Sequence, residues 1–148
     1  MHEVFKGRLK KLNIRFELIN NDDFQIYTRY GAVIQIISNL IDNCCYWLET
    51  ESQSDRKIII IIDTKDRTVI VADSGPGIHD SIRDYLFQPG YSLKIPPSGL
   101  GLYISKYYMQ AMKGDIYLAT SKEKIPTIKG AQFTLDFGRV PKDKEQSV

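Results

Sequence analysis

Residues 57–73, with the sequence KIIIIIDTKDRTVIVAD, decide the fold of this chain. Two runs rich in β-branched residues, Lys57 to Asp63 and Thr68 to Ala72, are separated by the polar residues Thr64 to Arg67, and this pattern predicts an antiparallel hairpin. The unbroken run from Ile58 to Ile62 indicates a strand that is covered on both faces. We therefore expect the hairpin to form a buried part of a sheet.

Helices and further strands are predicted on both sides of the hairpin. Apolar residues at spacings of three and four predict a long helix from about Thr28 to Leu48 and another from Leu100 to Met112 that ends at Lys113-Gly114. Together, the predicted helices and strands indicate an α/β sandwich with helices on one face of a mostly antiparallel sheet. The remaining predicted elements are a helix at 1–12, strands at 14–18, 24–27, 116–120 and 131–137, and a short helix at 80–87.

The composition is that of an ordinary globular domain. The 148 residues carry a net charge of +2, which argues against nucleic acid as a partner because nucleic-acid binders carry a basic stripe. The longest apolar runs fall far short of the ~20 residues of a membrane span. Cys44 and Cys45 are neighbours, so they form neither a disulfide framework nor a spaced metal site. We expect a cytoplasmic setting, with a membrane anchor elsewhere in a parent protein left open.

Asn39 and Asn43 lie four residues apart on the long predicted helix, so their side chains share one face. Asparagine is a poor helix former because its amide competes for backbone hydrogen bonds, and two of them in mid-helix need a reason. One interpretation is a solvated polar face, nearly opposite the apolar stripe centred on Ile37. The other is an oxygen ligand for Mg²⁺, which binds few protein ligands together with phosphate oxygens.

The segment Asp73-Ser74-Gly75-Pro76-Gly77 directly follows the second strand of the hairpin. These residue types suit a strand-ending turn, which is one interpretation. A carboxylate at the end of a core strand is also an acceptor with a defined direction, for which an adenine amino group is a suitable donor. The glycines would then let the backbone approach a flat base closely.

Gly99-Leu100-Gly101-Leu102 opens the last predicted helix. Backbone N–H groups exposed at such a site can bind a phosphate, because the helix dipole favours anions there, although simple helix capping explains the same glycines. Lys94 and Lys106 flank the segment and could add positive charge, or could only be solvated. The prolines and glycines between Asp73 and Ser98 are typical of a functional loop such as a lid.

Four segments in this order resemble the N, G1, F and G2 boxes of the GHKL superfamily. These are the ATP-binding domains that sensor histidine kinases share with DNA gyrase, MutL and the large heat-shock chaperones. The segments are Asn39 to Asn43, Asp73 to Gly77, Phe87 to Pro89 and Gly99 to Leu102, within a resemblance from about Phe24 to Phe137. The resemblance implies the Bergerat fold, a two-layer α/β sandwich with a mixed, mostly antiparallel sheet and helices on one face.

The resemblance also implies the cofactors ATP and Mg²⁺ and a role for each matching residue. Asn43 would coordinate the Mg²⁺ that bridges the phosphates, and Asn39 would line the same phosphate pocket. Lys94 occupies the family's lysine position after the F box, and Asp73 would accept a hydrogen bond from the adenine amino group. The other implied nucleotide-binding residues are Gly75 and Gly77 in the base pocket, Phe87 as the anchor of a mobile lid, and Gly99, Leu100, Gly101 and Leu102 at the phosphates.

One position separates the branches of the superfamily. In the gyrase, MutL and chaperone branch, a glutamate four residues before the metal-binding asparagine activates water, whereas Asn39 cannot act as a general base. The resemblance therefore implies a histidine kinase catalytic domain that transfers the γ-phosphoryl of ATP to a histidine. A GHKL ATPase module and a nucleotide-binding regulatory domain stay open as alternatives. The regulatory domain stays open because Tyr46 replaces a basic residue of the kinase motifs and Pro97 replaces a glycine.

The phosphoacceptor is expected on another domain, since neither His2 nor His79 lies where an acceptor hairpin would fit. We interpret residues 1–12 as the remnant of a linker helix, 13–140 as the catalytic domain and 141–148 as a flexible tail. The expected partners are the histidine-bearing dimerisation domain of a parent kinase and, indirectly, a response regulator. The isolated domain is expected to be monomeric.

Overall fold

The computed structural model describes residues 2–20, 22–50, 52, 55–91 and 100–147. Within these residues the chain forms three α-helices, five strands and one 3₁₀ helix. In chain order they are α1 (His2–Lys11), β1 (Ile14–Asn20), α2 (Tyr30–Thr50), β2 (Arg56–Asp63), β3 (Thr68–Asp73), the 3₁₀ helix (Asp80–Tyr85), α3 (Gly101–Ala111), β4 (Asp115–Leu118) and β5 (Gln132–Asp136).

The described strands form one mixed sheet in the order β1-β2-β3-β5-β4. β1 pairs with β2 in parallel, whereas the other three neighbouring pairs are antiparallel. The predicted hairpin forms β2 and β3, with Ile60 opposite Val71. The prediction of a mixed, mostly antiparallel sheet is confirmed, and β3 lies at its centre and ends at Asp73.

The three helices pack on one face of this sheet, as predicted. Because side chains alternate along a strand, every second residue of β2, β3 and β5 points to that face and joins the core. No helix of the described residues has the length and apolarity that crossing a membrane requires. The core contains Phe5 and Leu9 of α1, Ile36, Leu40 and Ile41 of α2, Met109 of α3, and Ile58, Ile60, Val69, Val71, Ile116, Phe133 and Leu135 of the strands.

The opposite face of the sheet is covered near its centre by the segment that follows β4. The side chain of Gln132, which is buried on that face, accepts a hydrogen bond from the Ile125 backbone nitrogen at 2.8 Å and donates to the Ile128 carbonyl at 2.9 Å. The segment therefore folds back over the sheet before β5 begins. Gly130, two residues before the start of β5, lies directly beside Asp73.

The predicted strand at residues 24–27 is wrong, because these residues have no ladder partner and lie in an irregular segment. The Phe24 ring packs instead on the Phe137 ring, with 5.9 Å between centroids. One backbone hydrogen bond, from the Tyr27 nitrogen to the Pro141 carbonyl at 2.6 Å, ties the segment to the C-terminal residues. Ring packing and this bond account for the apolar pattern that suggested a strand.

Arg67, in the turn between β2 and β3, holds this irregular segment and the C-terminal residues together. Its guanidinium donates to the carbonyls of Gln25 at 2.9 Å, Gly138 at 3.2 Å and Val140 at 2.8 Å, and lies 5.8 Å from the Phe24 ring centroid. These contacts join three segments that are far apart in sequence. The Arg67 backbone adopts the left-handed conformation, with φ of 55°.

We expect Arg67→Ala to lower the free energy of unfolding by about 1 to 3 kcal/mol, because three carbonyls lose a charged donor. Urea denaturation measures this change. Arg67→Lys is the matched control, since lysine keeps the charge but not the planar fork that reaches several carbonyls, and should restore only part of the loss. If Arg67→Ala proved as stable as the parent chain, the proposed role of Arg67 in holding these segments together would be wrong.

The end of α3 lies close to the predicted Lys113-Gly114, since the helix runs to Ala111 and Met112 follows as its C-cap. Lys113 has a φ of 71°, and the Gly114 nitrogen donates to the Met109 carbonyl at 2.8 Å, which is the Schellman pattern. Gly114 is required for a different reason, because a Cβ atom there would lie 2.7 Å from the Asp136 carbonyl oxygen. Glycine therefore allows close packing of the helix end on β5.

The helix predicted at 1–12 is present as α1, and Val140 is buried whereas residues 142–147 are exposed. The division into a linker helix at 1–12, a catalytic domain at 13–140 and a flexible tail at 141–148 stays a prediction.

Candidate functional site

A cavity of about 470 Å³ opens between α2, the end of β3 and the start of α3. It brings together side chains and backbone from segments that are widely separated in sequence. The predicted site residues that line it are Asn43 of α2, Asp73 of β3, Gly77 of the following turn, and Gly101 and Leu102 of α3.

Asp73 is the most deeply buried polar residue of this cavity, with 3% of its surface exposed. Its Oδ1 accepts a hydrogen bond from the Gly75 nitrogen at 2.8 Å, and its backbone nitrogen donates to the Ala131 carbonyl at 3.0 Å. Burial raises the pKa of the carboxyl from its ordinary 3.8 to about 6, although hydrogen bonds from Gly75, Cys44 and Ala131 to the carboxylate oppose this shift. At neutral pH the cavity therefore holds a buried anion.

Glycines surround Asp73 because no side chain fits beside it. A Cβ atom at Gly130 would collide with the Asp73 carbonyl oxygen and lie 2.6 Å from Oδ1. A Cβ atom at Gly75 would lie 2.8 Å from the same Oδ1. Gly77 has a φ of 82°, a conformation that favours glycine. Gly77 thus lines the cavity, whereas Gly75 lies behind the residues that line it.

The two asparagines of α2 have different surroundings. Asn43 is half-buried and lines the cavity. The Asn39 amide nitrogen instead donates to the Gly101 carbonyl at 3.1 Å and the Ser105 hydroxyl at 3.3 Å, both in α3. The interpretation of this face as merely solvated is therefore wrong, because α3 packs against it. Asn39 joins the two helices and does not line the cavity.

Phe87 lies beside the cavity and does not line it. Its ring packs edge-on against the Phe133 ring, with 6.2 Å between centroids, and the Lys106 ammonium lies 5.1 Å from the Phe87 centroid. The same ammonium contacts the Asp115 carboxylate at 2.7 Å and donates to the Ile116 carbonyl at 2.9 Å. Lys106 is thus committed to β4 and Phe87, so its predicted availability for a phosphate finds no support.

The start of α3 has no side-chain cap. Leu100 precedes its first turn, is about half exposed, and makes no capping hydrogen bond with its side chain. The first backbone N–H groups of a helix lack helical partners, and here the Ile104 nitrogen is the first that donates within the helix, to the Leu100 carbonyl at 2.8 Å. The N–H groups of Gly101, Leu102 and Tyr103 therefore lie at the end of the helix where the dipole favours an anion. Lys94, Pro97 and Gly99 lie outside the described residues.

Several residues that line the cavity were not predicted. Trp47 follows Asn43 by one helical turn, so the same four-residue spacing could have identified it. Tyr91 lines the cavity and stacks on Tyr85 with 5.0 Å between centroids, which no periodic pattern in this irregular region indicates. Cys44 was considered only for a disulfide or a metal site, yet it lines the cavity together with Asp73.

The cavity combines an apolar wall, aromatic rings, one buried carboxylate and the first turn of a helix. Such a site suits a flat, partly apolar ring that offers a donor to the carboxylate and carries an anionic group toward α3. Residues 29–141 match the family model described as histidine kinase-, DNA gyrase B- and HSP90-like ATPase. The chain belongs to this ATPase family.

The relatives of this ATPase-family domain are sensor kinases. It is 34% identical over 108 residues to the sensor protein ChvG of Agrobacterium fabrum, which covers 68% of this chain and 18% of ChvG. It is 32% identical over 114 residues to the sensor protein CitS of Bacillus subtilis, which covers 77% of this chain and 20% of CitS. The chain thus spans about a fifth of the length of these curated relatives.

Solved structures show the same fold. The catalytic domain of the histidine kinase ThkA superposes with a TM-score of 0.73 at 22% identity, covering 98% of this chain and 89% of that one. ThkA in complex with the response regulator TrrA gives a TM-score of 0.65 at 21% identity, covering 97% of this chain and 39% of that one. The predicted Bergerat sandwich and a nucleotide-using catalytic domain of the histidine kinase type are confirmed.

Proposed function

We propose that this domain binds Mg²⁺ and ATP in the cavity and transfers the γ-phosphoryl to a histidine on a separate domain. The observation that carries this proposal is that Asn43 and Asp73, from a helix and a strand, line one cavity that also reaches the start of α3. Asp73 would accept a hydrogen bond from the adenine amino group, and the phosphates would extend toward Asn43 and α3. Gly75 and Gly77 would leave room for the base.

The residues around Asn43 fit Mg²⁺ held together with nucleotide phosphates. Among the residues that the structure describes, no group of three or more His, Cys, Asp or Glu side chains forms a dedicated metal cage. Mg²⁺ commonly uses one or two protein oxygens and completes its shell with phosphate oxygens and water, and the Asn43 amide supplies such an oxygen. When bound, the ion offsets negative charge on the phosphates.

Backbone groups of the α3 N-terminus are proposed to hold the phosphates. Gly101 and Leu102 line the cavity, and Leu100 immediately precedes them. Their N–H groups lack helical partners and lie where the helix dipole favours an anion. The roles of Lys94 as a source of positive charge, of Gly99 in the phosphate loop and of Phe87 as the anchor of a lid belong to the same proposal.

Asn39 supports phosphoryl transfer rather than hydrolysis. Its amide donates to the Gly101 carbonyl and so joins α2, which carries Asn43, to the start of α3. We infer that Asn39 keeps these two phosphate-binding elements in register. An amide does not take a proton from water, so the site lacks a base at this position and should hold ATP until an acceptor arrives.

The partners are part of the proposal. The acceptor histidine would lie on a dimerisation domain of the parent protein, in the cytoplasm, and a response regulator would then receive the phosphoryl group. The solved complex of the histidine kinase ThkA with the response regulator TrrA supports the last of these partners by analogy. The isolated domain would be a monomer, with no role for nucleic acid.

Asn43→Ala is expected to remove the Mg²⁺ dependence of nucleotide binding. The fluorescence of Trp47, the only tryptophan of the chain and a residue of the cavity, reports binding directly. The parent domain should bind a non-hydrolysable ATP analogue about tenfold more tightly with Mg²⁺ than with EDTA, a difference of about 1.4 kcal/mol. The variant should match the parent domain in EDTA and gain nothing from Mg²⁺. An undiminished response to Mg²⁺ would assign the metal to other residues.

The transfer reaction is tested by mixing the domain with Mg²⁺, ATP labelled at the γ-phosphate, and the histidine-bearing domain of its parent protein. Acid-labile label on that second domain is the expected result, with little free phosphate released when the second domain is omitted. Rapid release of phosphate by this domain alone would favour the ATPase alternative.

A further inference from the structure

Ser105 is a fully buried polar residue of α3, one turn after Gly101, the first residue of that helix. Its hydroxyl donates to the Gly101 carbonyl at 2.8 Å and accepts a hydrogen bond from the Asn39 amide nitrogen at 3.3 Å. The same amide nitrogen donates to the Gly101 carbonyl at 3.1 Å. The Gly101 oxygen therefore receives two side-chain donors, one from its own helix and one from α2.

A second side chain of α2 fixes the orientation of the Asn39 amide. Gln35, one turn earlier on the helix, donates from its Nε2 to the Asn39 Oδ1 at 2.9 Å. The oxygen end of the Asn39 amide thus faces Gln35, and its nitrogen end faces α3. Asn39 is held in this way as a donor toward Gly101 and Ser105.

Packing alone does not explain a serine and a glycine at these two positions of α3. A serine that bonds the carbonyl four residues earlier slightly destabilises a helix, whereas alanine is the best helix former. A Cβ atom at Gly101 would lie 3.8 Å from the Asn39 Cβ, which is an ordinary contact. Because glycine leaves its backbone free to rotate, other groups must hold the Gly101 carbonyl in place.

The Gly101 carbonyl and the Leu102 N–H group belong to one planar peptide unit. In a trans peptide these two groups point in opposite directions, so holding the oxygen also fixes the direction of the N–H. Leu102 lines the cavity and belongs to the first turn of α3, where an N–H group has no carbonyl of the helix to bond. Two donors on the oxygen also polarise the peptide unit and strengthen this N–H as a donor.

We propose that Ser105 is a positioning residue of the phosphate site, whose hydroxyl holds the Gly101 carbonyl together with Asn39 so that the Leu102 N–H points at the phosphates of ATP. This inference rests on the proposed function, in which the start of α3 holds the phosphates. It goes further, because it assigns their geometry to a side chain that does not line the cavity and lies outside the sequence motifs.

Ser105→Ala should weaken the binding of a non-hydrolysable ATP analogue about three- to tenfold and leave the affinity for adenosine unchanged. Adenosine carries the base and the sugar of ATP but no phosphate, so it makes no use of the Leu102 N–H. Ser105→Thr keeps a hydroxyl at the same place and should restore most of the affinity for the analogue. Trp47 fluorescence titration in the presence of Mg²⁺ measures both ligands.

Nitrogen-15 NMR gives a second measurement, at the amide itself. The Leu102 amide proton should move downfield when the parent domain binds the analogue, because a phosphate oxygen accepts its hydrogen bond. This movement should be smaller in Ser105→Ala and return in Ser105→Thr. Met109→Leu is the matched control, since it alters another fully buried side chain of α3, two turns beyond Gly101, and should change neither the affinities nor the movement.

The outcomes separate this inference from the proposed function. If the parent domain binds the ATP analogue no more tightly than adenosine, the proposed placement of the phosphates is wrong. If the phosphates add affinity and Ser105→Ala keeps all of it, only the role of Ser105 is wrong. Equal losses of affinity for adenosine and for the analogue would also overturn that role, because they would show that Ser105 serves the fold alone.

Discussion

Replacing Asp73 by asparagine is expected to weaken ATP binding roughly 30- to 150-fold, a loss of about 2 to 3 kcal/mol. The ionised carboxylate would accept a charge-assisted hydrogen bond from the adenine amino group, whereas the asparagine amide would offer a second donor to it. Because Asp73 is buried, solvent cannot replace the lost contact. Trp47 fluorescence titration at neutral pH measures the change.

The same substitution is expected to stabilise the domain without nucleotide. The folded protein binds the Asp73 proton more tightly than the unfolded chain, since the pKa is raised from 3.8 to about 6. The favourable contribution of protonated Asp73 is therefore complete below pH 3.8 and lost as the pH rises through 6. Above that pH the ionised carboxylate lowers the free energy of unfolding by up to about 3 kcal/mol, compared with the value below pH 3.8.

Asp73→Asn removes this cost, so the free energy of unfolding at pH 7.5 should rise by about 1 to 3 kcal/mol and Tm by about 3 to 10 °C. Thermal unfolding followed across the acidic range should also become less dependent on pH. Asp66→Asn is the matched control, because it makes the same charge change at the exposed turn between β2 and β3. It should alter neither the affinity for ATP nor the pH dependence of thermal unfolding. A variant that lost both affinity and stability would show that Asp73 serves the fold rather than the ligand.

Gly130→Ala is expected to disrupt both the fold and the site. Its Cβ atom would collide with the Asp73 carbonyl oxygen and lie 2.7 Å from the Gly75 nitrogen, and both atoms belong to backbone that cannot rotate away. We expect the free energy of unfolding to fall by about 2 to 3 kcal/mol, as overpacked cores do. ATP affinity should fall at least about tenfold, because the Asp73 carboxylate must shift.

Gly7→Ala is the matched control for this prediction. Gly7 lies within α1 with no atom within 4 Å of the position of an added Cβ, and alanine is the better helix former. It should therefore stabilise the domain by about 0.5 to 1 kcal/mol and leave ATP affinity unchanged. Urea denaturation and the fluorescence titration compare the two variants. Equal stability of Gly130→Ala and the parent domain would mean that the turn after β3 can move aside.

Local patterns were sufficient for the elements that are regular over many residues. The isoleucine run and the following Thr68 to Ala72 predicted the hairpin because a polar turn separates two β-branched stretches. The apolar period predicted α2 to within about two residues at either end. Such elements are specified by their own residues, so a single sequence is enough to identify them.

Elements that depend on distant partners were predicted less well. Phe24 and its neighbours look like a strand, but the ring contact with Phe137 and the hydrogen bonds of Arg67 hold them in an irregular path. Asn39 was expected at the phosphates, and the structure shows its amide on the Gly101 carbonyl of α3. Both contacts join segments separated by more than forty residues, beyond the reach of any periodic pattern.

The residues of the candidate site were likewise predicted where they belong to a sequence motif and missed where they do not. The ordered motifs identified Asn43, Asp73 and Gly77, which do line one cavity. They did not identify Tyr91 or the thiol of Cys44, because neither residue type has a required place in the motifs. Their importance comes from what surrounds them in three dimensions, which the order of residues alone does not contain.

The position of Arg67 has a mechanical consequence. It fastens the C-terminal residues to the turn at one end of β3, whereas Asp73 is at the other end of that six-residue strand, about 17 Å away. Tension applied at the C-terminus, by a fused protein or a surface attachment, would be borne by the turn and by the hydrogen-bonded length of β3. We therefore expect that immobilisation through the C-terminus, for single-molecule or sensor measurements, applies force first at the Arg67 turn, at the end of β3 that lies away from the cavity.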